Sequence, residues 1–156
     1  MKIELLVVGK TTSKHIQACI TDYTERINHY VSFSITVIPE LKNTKNLSEE
    51  QQKTREGELI LRQLQSSDTV VLLDEHGIER RSVDFASWLS KKQQTARRLV
   101  FVIGGPYGFS EAVSQRAQEK ISLSQMTFSH QMVRLIFTEQ LYRACTIIKG
   151  EPYHHE

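Results

Sequence analysis

The sequence predicts an α/β protein, a mostly parallel sheet with helices on both faces. Three observations carry that prediction. Apolar runs and helical patterns alternate β-α-β-α-β-α-β-α-β-α along the chain. Two of the runs, Thr69 to Leu73 and Leu99 to Ile103, are continuous enough to suit strands buried on both faces. The second run enters a glycine-rich turn, Gly104-Gly-Pro-Tyr-Gly108, and a helix follows. In open α/β sheets, ligands bind at such places, outside the carboxyl end of a strand.

The elements follow in order. Lys2 to Val8 reads as a strand closed by Gly9. Glu4 interrupts its apolar run and no small-residue cleavage site follows, so a strand is expected and not a signal peptide. Over residues 14–30, Ile16, Ile20, Tyr23, Ile27 and Tyr30 recur at three- and four-residue spacing, one face of a helix. Phe33, Ile35 and Val37 alternate with polar residues before Pro39, a second strand. Residues 40–47 are polar and predict a mobile surface loop. Ser48-Glu-Glu-Gln51 has the form of a capping box, and its helix turns apolar only near Leu59. The first half of that helix should face solvent. Thr69 to Leu73 is the third strand, with Asp74 to Gly77 as the loop at its end. Ser82 opens a helix carrying Phe85, Ala86, Trp88 and Leu89. After the fourth strand and its turn come a helix from Ser110 to Lys120 and a short stretch from Ile121 to Phe128. A long helix runs from His130 to Lys149, stopped by Gly150, and Pro152 to Glu156 form a tail.

The 156 residues make one domain, 1–156, with no repeat, linker or low-complexity segment. Hydrophobic content of 39% and charged content of 24% are those of an ordinary globular chain. No apolar run approaches a membrane span. Two cysteines, Cys19 and Cys145, sit in helical patterns and read as reduced thiols of a cytoplasmic protein. No Cys/His spacing suggests zinc, so no metal is expected. Net charge of +2 leans only weakly toward an anionic partner. An RNA partner would need local basic clusters or a second subunit.

The glycine turn lacks the G-x-G-x-x-G spacing and the downstream acid of a dinucleotide site, and no Gly-Lys-Ser/Thr follows as in a phosphate loop. On residues alone, a plain tight turn stands beside a ligand wall. Leu123-Ser-Gln-Met-Thr-Phe128 interleaves hydroxyls with large apolar groups. Such a loop can line a slot for a flat heterocycle or merely connect two elements. On the long helix, Val133, Ile136, Phe137, Leu141, Ala144, Ile147 and Ile148 form one stripe. Gln131, Arg134, Thr138, Glu139, Tyr142 and Arg143 lie opposite. Gln140 falls inside the stripe and needs a hydrogen-bond partner. Met132 and Leu135 add apolar surface to the polar side, which suits a helix packed between two layers, one of them a second subunit.

Taken together, Val102-Ile-Gly-Gly-Pro-x-Gly, Leu123-Ser-x-Met-Thr-Phe, His130-x-Met-Val-Arg134, Glu139-Gln-Leu-Tyr-Arg-Ala144 and terminal Pro152-Tyr-His resemble the RlmH family of SPOUT-class methyltransferases. The resemblance runs the length of the chain. It implies a carboxyl-terminal trefoil knot, which general rules of chain connection argue against, and a homodimer. It implies S-adenosylmethionine held by three loops, at Leu73, at Gly104, and at Leu123, Ser124, Gln125, Met126, Thr127 and Phe128. The reaction implied is methyl transfer to N3 of a pseudouridine in large-subunit ribosomal RNA, with the assembled ribosome as substrate. Two positions depart from the family pattern. Ser129 stands where Pro is frequent, and His155 where Arg or Lys is frequent.

Because N3 carries a proton, a base or stabilising cations are needed. Arg134, Arg143, Tyr153 and His154 are the residues expected to bind and activate the substrate, with His130 and Glu139 behind them. Arg80-Arg81, Lys91-Lys92 and Arg97-Arg98 are the candidate RNA contacts, or plain solvated surface. The alternatives are a non-catalytic RNA-binding or ribosome-binding protein and a nucleotide-dependent enzyme using the turn for phosphate.

Overall fold

The computed structural model describes residues 1–156. Its strands are β1 (Lys2–Val8), β2 (Ser32–Ile38), β3 (Thr69–Glu79), β4 (Arg98–Ile103) and β5 (Glu119–Ser122). Its helices are α1 (Lys14–Ile27), α2 (Glu49–Arg62), α3 (Ser82–Thr95), α4 (Glu111–Arg116) and α5 (His130–Lys149). The strands form one sheet in the order β2-β1-β4-β3-β5, and every pairing is parallel. The α/β class therefore holds, and the sheet is wholly parallel.

Alternating strand residues feed two cores. On one face Ile3, Leu5, Val7, Leu99, Phe101 and Ile103 pack with Phe85 and Leu89 of α3 and Phe137 and Leu141 of α5. The rings of Phe101 and Phe137 sit 4.7 Å apart. On the other face Leu6, Val70, Leu72, Val100 and Val102 meet Ile60 of α2 and Val113 of α4. Helices on both faces bury β4 completely, which explains its unbroken apolar run.

Four boundaries differ from the sequence expectation. The first helix ends at Ile27, not residue 30. There Asn28 Nδ2 donates to Thr24 O and Phe33 O, and Asn28 Oδ1 accepts from Phe33 N, which turns the chain into β2. Strand β3 continues through the segment expected as a loop. Its register slips between Leu73 and Ile78, so Ile121 pairs with both and Asp74 to Gly77 bulge out of the ladder. Gly77 permits this, because a Cβ there would lie 2.7 Å from the Ile121 backbone. The helix expected to reach Lys120 stops at Arg116. Gln118 pulls the chain into the sheet, its N–H donating to Val70 O at 2.9 Å and its Oε1 accepting from Val70 N at 2.7 Å. Finally, the polar loop 40–47 contains a 3-10 turn, Thr44–Asn46.

The capping box at Ser48 and Gln51 forms, and most of the first half of α2 is exposed. Gly150 adopts the left-handed conformation that ends α5. No helix is long and apolar enough to cross a membrane.

Candidate functional site

At the carboxyl end of β4 and beside the bulge of β3 the chain encloses a cleft of about 680 Å³. Three segments wall it: Leu73 to His76, Ile103 to Phe109, and Leu123 to Phe128 without Gln125. His130 and Val133 of α5 and Glu49 of α2 complete the lining. The three loops implied by the resemblance thus meet in one cavity. Only Gln125 among those residues is off its wall.

Each wall has a local cause. Gly104 carries an ordinary φ, and a Cβ there would lie 3.0 Å from the Phe109 ring. Glycine lets that ring tuck beneath the turn. Gly108, at φ 79°, closes the turn with its N–H donating to Gly105 O at 3.2 Å. The third wall is pinned by Ser122 Oγ donating to Ser124 O and by Met126 N donating to Ser124 Oγ. Thr127 Oγ1 donates to Glu75 Oε2 at 3.2 Å, tying the third wall to the first. Ser129 caps α5 by accepting from Met132 N at 3.2 Å, so that departure from the family pattern supplies a helix cap.

The lining chemistry discriminates between ligands. Leu73, Ile103, Leu123, Phe128 and Val133 make an apolar slot, while Glu49, Asp74 and Glu75 put carboxylates on its rim. No lysine or arginine lines it. That disfavours a polyphosphate and suits a ligand with a flat ring and a positive centre. The volume falls within the range of small-molecule sites.

The tail builds a second cluster. Arg143 donates to Glu139 Oε1 from Nε at 3.1 Å and from Nη2 at 2.6 Å. Tyr153 OH donates to the same oxygen at 3.0 Å, and Gln140 Nε2 donates to Glu139 Oε2. Arg143 also lies 4.8 Å over the Tyr153 ring. Arg143 Nη1 meets His154 Nδ1 at 3.0 Å. Arginine can only donate, so Nδ1 accepts and the imidazole proton sits on Nε2, which donates to Glu156 Oε2 at 3.0 Å. Glu156 pairs in turn with Arg81. Burial pushes the Tyr153 phenol above its ordinary range, and hydrogen bonds to Tyr23 and Glu139 add to that. The tail is seated, not frayed, on Tyr23 of α1 and Tyr142 of α5.

Three of the four expected catalytic residues, Arg143, Tyr153 and His154, therefore come together with Glu139. Arg134 does not join them. It was expected on the polar side of α5, yet it is only 3% exposed. Its Nη2 donates to Val8 O at 2.7 Å and its Nη1 to Thr11 Oγ1 at 3.0 Å. The β1–α1 loop folds over this face of the helix, which a periodicity argument on α5 cannot reveal. Burial lowers the Arg134 pKa, and only the charge of Glu40 opposes that. Thr138, also expected on the polar side, is buried and donates to Arg134 O. Gln140 finds the partner it needed, accepting from Ser82 Oγ at 2.8 Å.

Of the basic pairs, Arg80 and Lys92 are bound to Glu119, Arg98 to Asp68, and Arg81 to Glu156. Lys91 and Arg97 remain exposed without an ion pair. Sequence reasoning missed Gln131, whose Oε1 accepts from Thr12 N at 2.8 Å and clasps the β1–α1 loop to α5. It also missed Glu56, under the glycine turn. The signal for Glu56 was Gly57, a glycine within a helix, which marks a close approach. No group of three or more His, Cys, Asp or Glu side chains is arranged to hold a metal.

A wholly parallel sheet with a ligand cleft built from a glycine turn and two neighbouring loops defines the class, and the family comparison agrees. The model described as "Predicted SPOUT methyltransferase" matches residues 1–154, and the chain belongs to that family. Among its relatives, "Ribosomal RNA large subunit methyltransferase H" of Phocaeicola vulgatus is 65% identical, with 100% of both chains covered. Proteins of the same name from Christiangramia forsetii and Porphyromonas gingivalis are 60% and 58% identical, covering 99% and 100% of both chains respectively. The chain is a SPOUT methyltransferase.

Proposed function

We propose that this chain, a single cytoplasmic domain working as a homodimer, transfers a methyl group from S-adenosylmethionine to N3 of a pseudouridine in large-subunit ribosomal RNA, within the assembled ribosome. The observation that carries the reading is the meeting of Leu73, Gly104 and the 123–128 segment in one cationophilic slot. The full-length similarity to proteins named for ribosomal RNA methylation supports it. The carboxyl-terminal knot belongs to the same proposal.

When bound, S-adenosylmethionine supplies an electrophilic methyl group on a sulfonium sulfur. Leu73, Leu123, Ser124, Met126, Thr127 and Phe128 hold it with the Gly104 turn, and Gln125 stands outside. The tail supplies the activation. Glu139 of α5 orients the cluster, its Oε1 accepting from Arg143 and Tyr153 and its Oε2 from Gln140. Tyr153 stays a phenol. Arg143 keeps N–H groups beyond those it spends on Glu139 and His154, and its guanidinium can stabilise the anionic ring as the N3 proton leaves. Tyr153 and His154 hold that guanidinium in place. Arg134 contributes by fixing the β1–α1 loop beside the cleft. Lys91 and Arg97 contact RNA phosphate, so binding should weaken steeply with salt.

The cleft and the tail cluster stand at opposite ends of α5. His130 lines the cleft, and Arg143 lies more than three turns on, about 20 Å at ~1.5 Å per residue. Reacting groups must approach to about 3–3.5 Å. A tail that serves the reaction therefore serves the cleft of a second copy, with α5 helices paired antiparallel about a two-fold axis. Exposed Met132, on the polar side of α5, suits such a contact.

The test is complementation. G104V removes cofactor binding from one chain, and deletion of Pro152–Glu156 removes the tail from the other. Each homodimer should be inactive and the mixed dimer active, since it holds one intact cleft facing one intact tail. An inactive mixed dimer, or a tail-deleted homodimer with normal turnover on ribosomes, rejects the arrangement.

A further inference from the structure

The glycine turn rests on α2, the helix whose first residue, Glu49, also reaches the cleft. Glu56 Oε1 accepts from Gly105 N at 2.8 Å. One residue further, Gly57 is buried, and a Cβ there would lie 2.4 Å from Ser110 Oγ and 3.2 Å from Val113. Two neighbouring residues of one helix thus grip the start and the end of the turn. The fit is mutual, because a Cβ on Gly105 would lie 2.3 Å from Glu56 Oε2. The carboxylate fills the space behind the turn while Gly104 to Phe109 face the cleft, and Glu56 itself does not line the cleft.

We propose that Glu56 is a positioning residue whose carboxylate fixes the Gly105 peptide and so shapes the cofactor wall; this rests on the reading of the cleft as the S-adenosylmethionine site. Stability does not explain the placement. Burial raises the Glu56 carboxyl above its ordinary range, with the Gly105 N–H pulling less strongly the other way. A carboxyl raised in the folded state binds its proton more tightly folded than unfolded. Stability is therefore lost as pH rises through the ordinary carboxylate range, and at neutral pH the charge is a cost. What the charge achieves is a short hydrogen bond to one peptide of the turn.

Calorimetric titration of S-adenosylmethionine into the full-length protein tests this with E56A and E56Q. Glutamine keeps an acceptor oxygen, so E56Q should bind within about threefold of wild type, whereas E56A, losing a charge-assisted bond, should bind about 10-fold more weakly or worse. In ribosome assays the KM for S-adenosylmethionine should rise in E56A while kcat and the KM for ribosomes hold within about threefold. A merely structural role would not produce that split. Should E56A fail to fold, E56D takes its place with the same expectation, since it withdraws the carboxylate by one methylene. G105A and E56A/G105A complete a cycle, and the double variant should be no weaker than G105A alone. Wild-type affinity in E56A or E56D, or losses that multiply in the double variant, overturns the proposal. A wild-type protein that gives no heat overturns the cleft reading itself, and the two failures are distinct.

Discussion

Replacing Arg134 by Met separates anchoring from catalysis at a position where sequence alone favoured catalysis. The guanidinium is 3% exposed and donates to Val8 O and Thr11 Oγ1. Hydrogen bonds from a charged donor contribute about 1.5–3 kcal/mol each, so about 3–6 kcal/mol is lost in gross terms. Part returns, because Nε is buried without a partner and its desolvation penalty of about 1–3 kcal/mol disappears with the charge. The net destabilisation should be about 2–4 kcal/mol, a large share of the roughly 5–15 kcal/mol of a typical domain. With a urea m-value of about 2 kcal/mol/M, the midpoint falls by about 1–2 M. Protein concentration is held fixed, because the proposed dimerisation would shift the midpoint. Arg134→Lys should fall between wild type and Met, since one ammonium cannot span both acceptors as the fork does. If Arg134 touches RNA instead, R134M will leave the midpoint unmoved and lower only turnover. A midpoint within about 0.3 M of wild type refutes the anchoring argument.

Gly77→Ala forces a Cβ to within 2.7 Å of the Ile121 backbone, and overpacking of this kind costs about 1–3 kcal/mol. Thermal unfolding should show Tm lower by about 2–12 °C, at about 2–4 °C per kcal/mol for a chain of this size, and an unchanged Tm would mean the bulge can open freely. Burial pushes the Glu119 carboxyl upward, but bonds from Lys92 and Trp88 with the charges of Lys92 and Arg80 outweigh it, so its pKa is lowered. A lowered carboxyl contributes stability above the ordinary carboxylate range and loses it as pH falls through the folded value. The stability deficit of E119Q should therefore shrink as pH drops below about 4.5, and a deficit constant with pH rejects the ion-pair account. Cys145 is buried, with its thiol pushed up to about 11, whereas Cys19 is exposed. Native protein at pH 8 should react with a thiol reagent at Cys19 alone, and rapid labelling of Cys145 would show that α5 opens locally.

The elements legible in the sequence are those whose burial is governed by their own neighbours. Strand β4 is apolar from Leu99 to Ile103 because helices cover both its faces, and α5 carries its stop signal in Gly150. A fifth strand was expected in the stretch from Ile121, but its start at Glu119 was not legible. Glu-Lys-Ile-Ser is half charged, and it is a strand because Gln118 docks on Val70 and Glu119 finds Trp88, Arg80 and Lys92. Those partners lie 27 to 48 residues away in the chain, beyond any local pattern. Arg134 failed for a like reason. The helical wheel places it among polar residues correctly, but the loop that buries it comes from residues 8 to 11.

The same distinction divides the site. The cleft wall is made of short runs of consecutive residues, where glycines and small hydroxyls shape the backbone, so its loops were legible one by one. The tail cluster instead needs side chains converging from a helix and the tail, and under the proposed dimer it would act on the cleft of a second copy. Sequence named Arg143, Tyr153 and His154 but could not order them. The hydrogen bonds do, because they have direction. Arginine must donate, so His154 accepts; Tyr153 donates to Glu139; and three donors converge on Glu139 Oε1 while Oε2 accepts from Gln140 alone. What the cluster offers a substrate in this arrangement includes the remaining N–H groups of one guanidinium, which under the proposed reaction would stabilise the deprotonated ring.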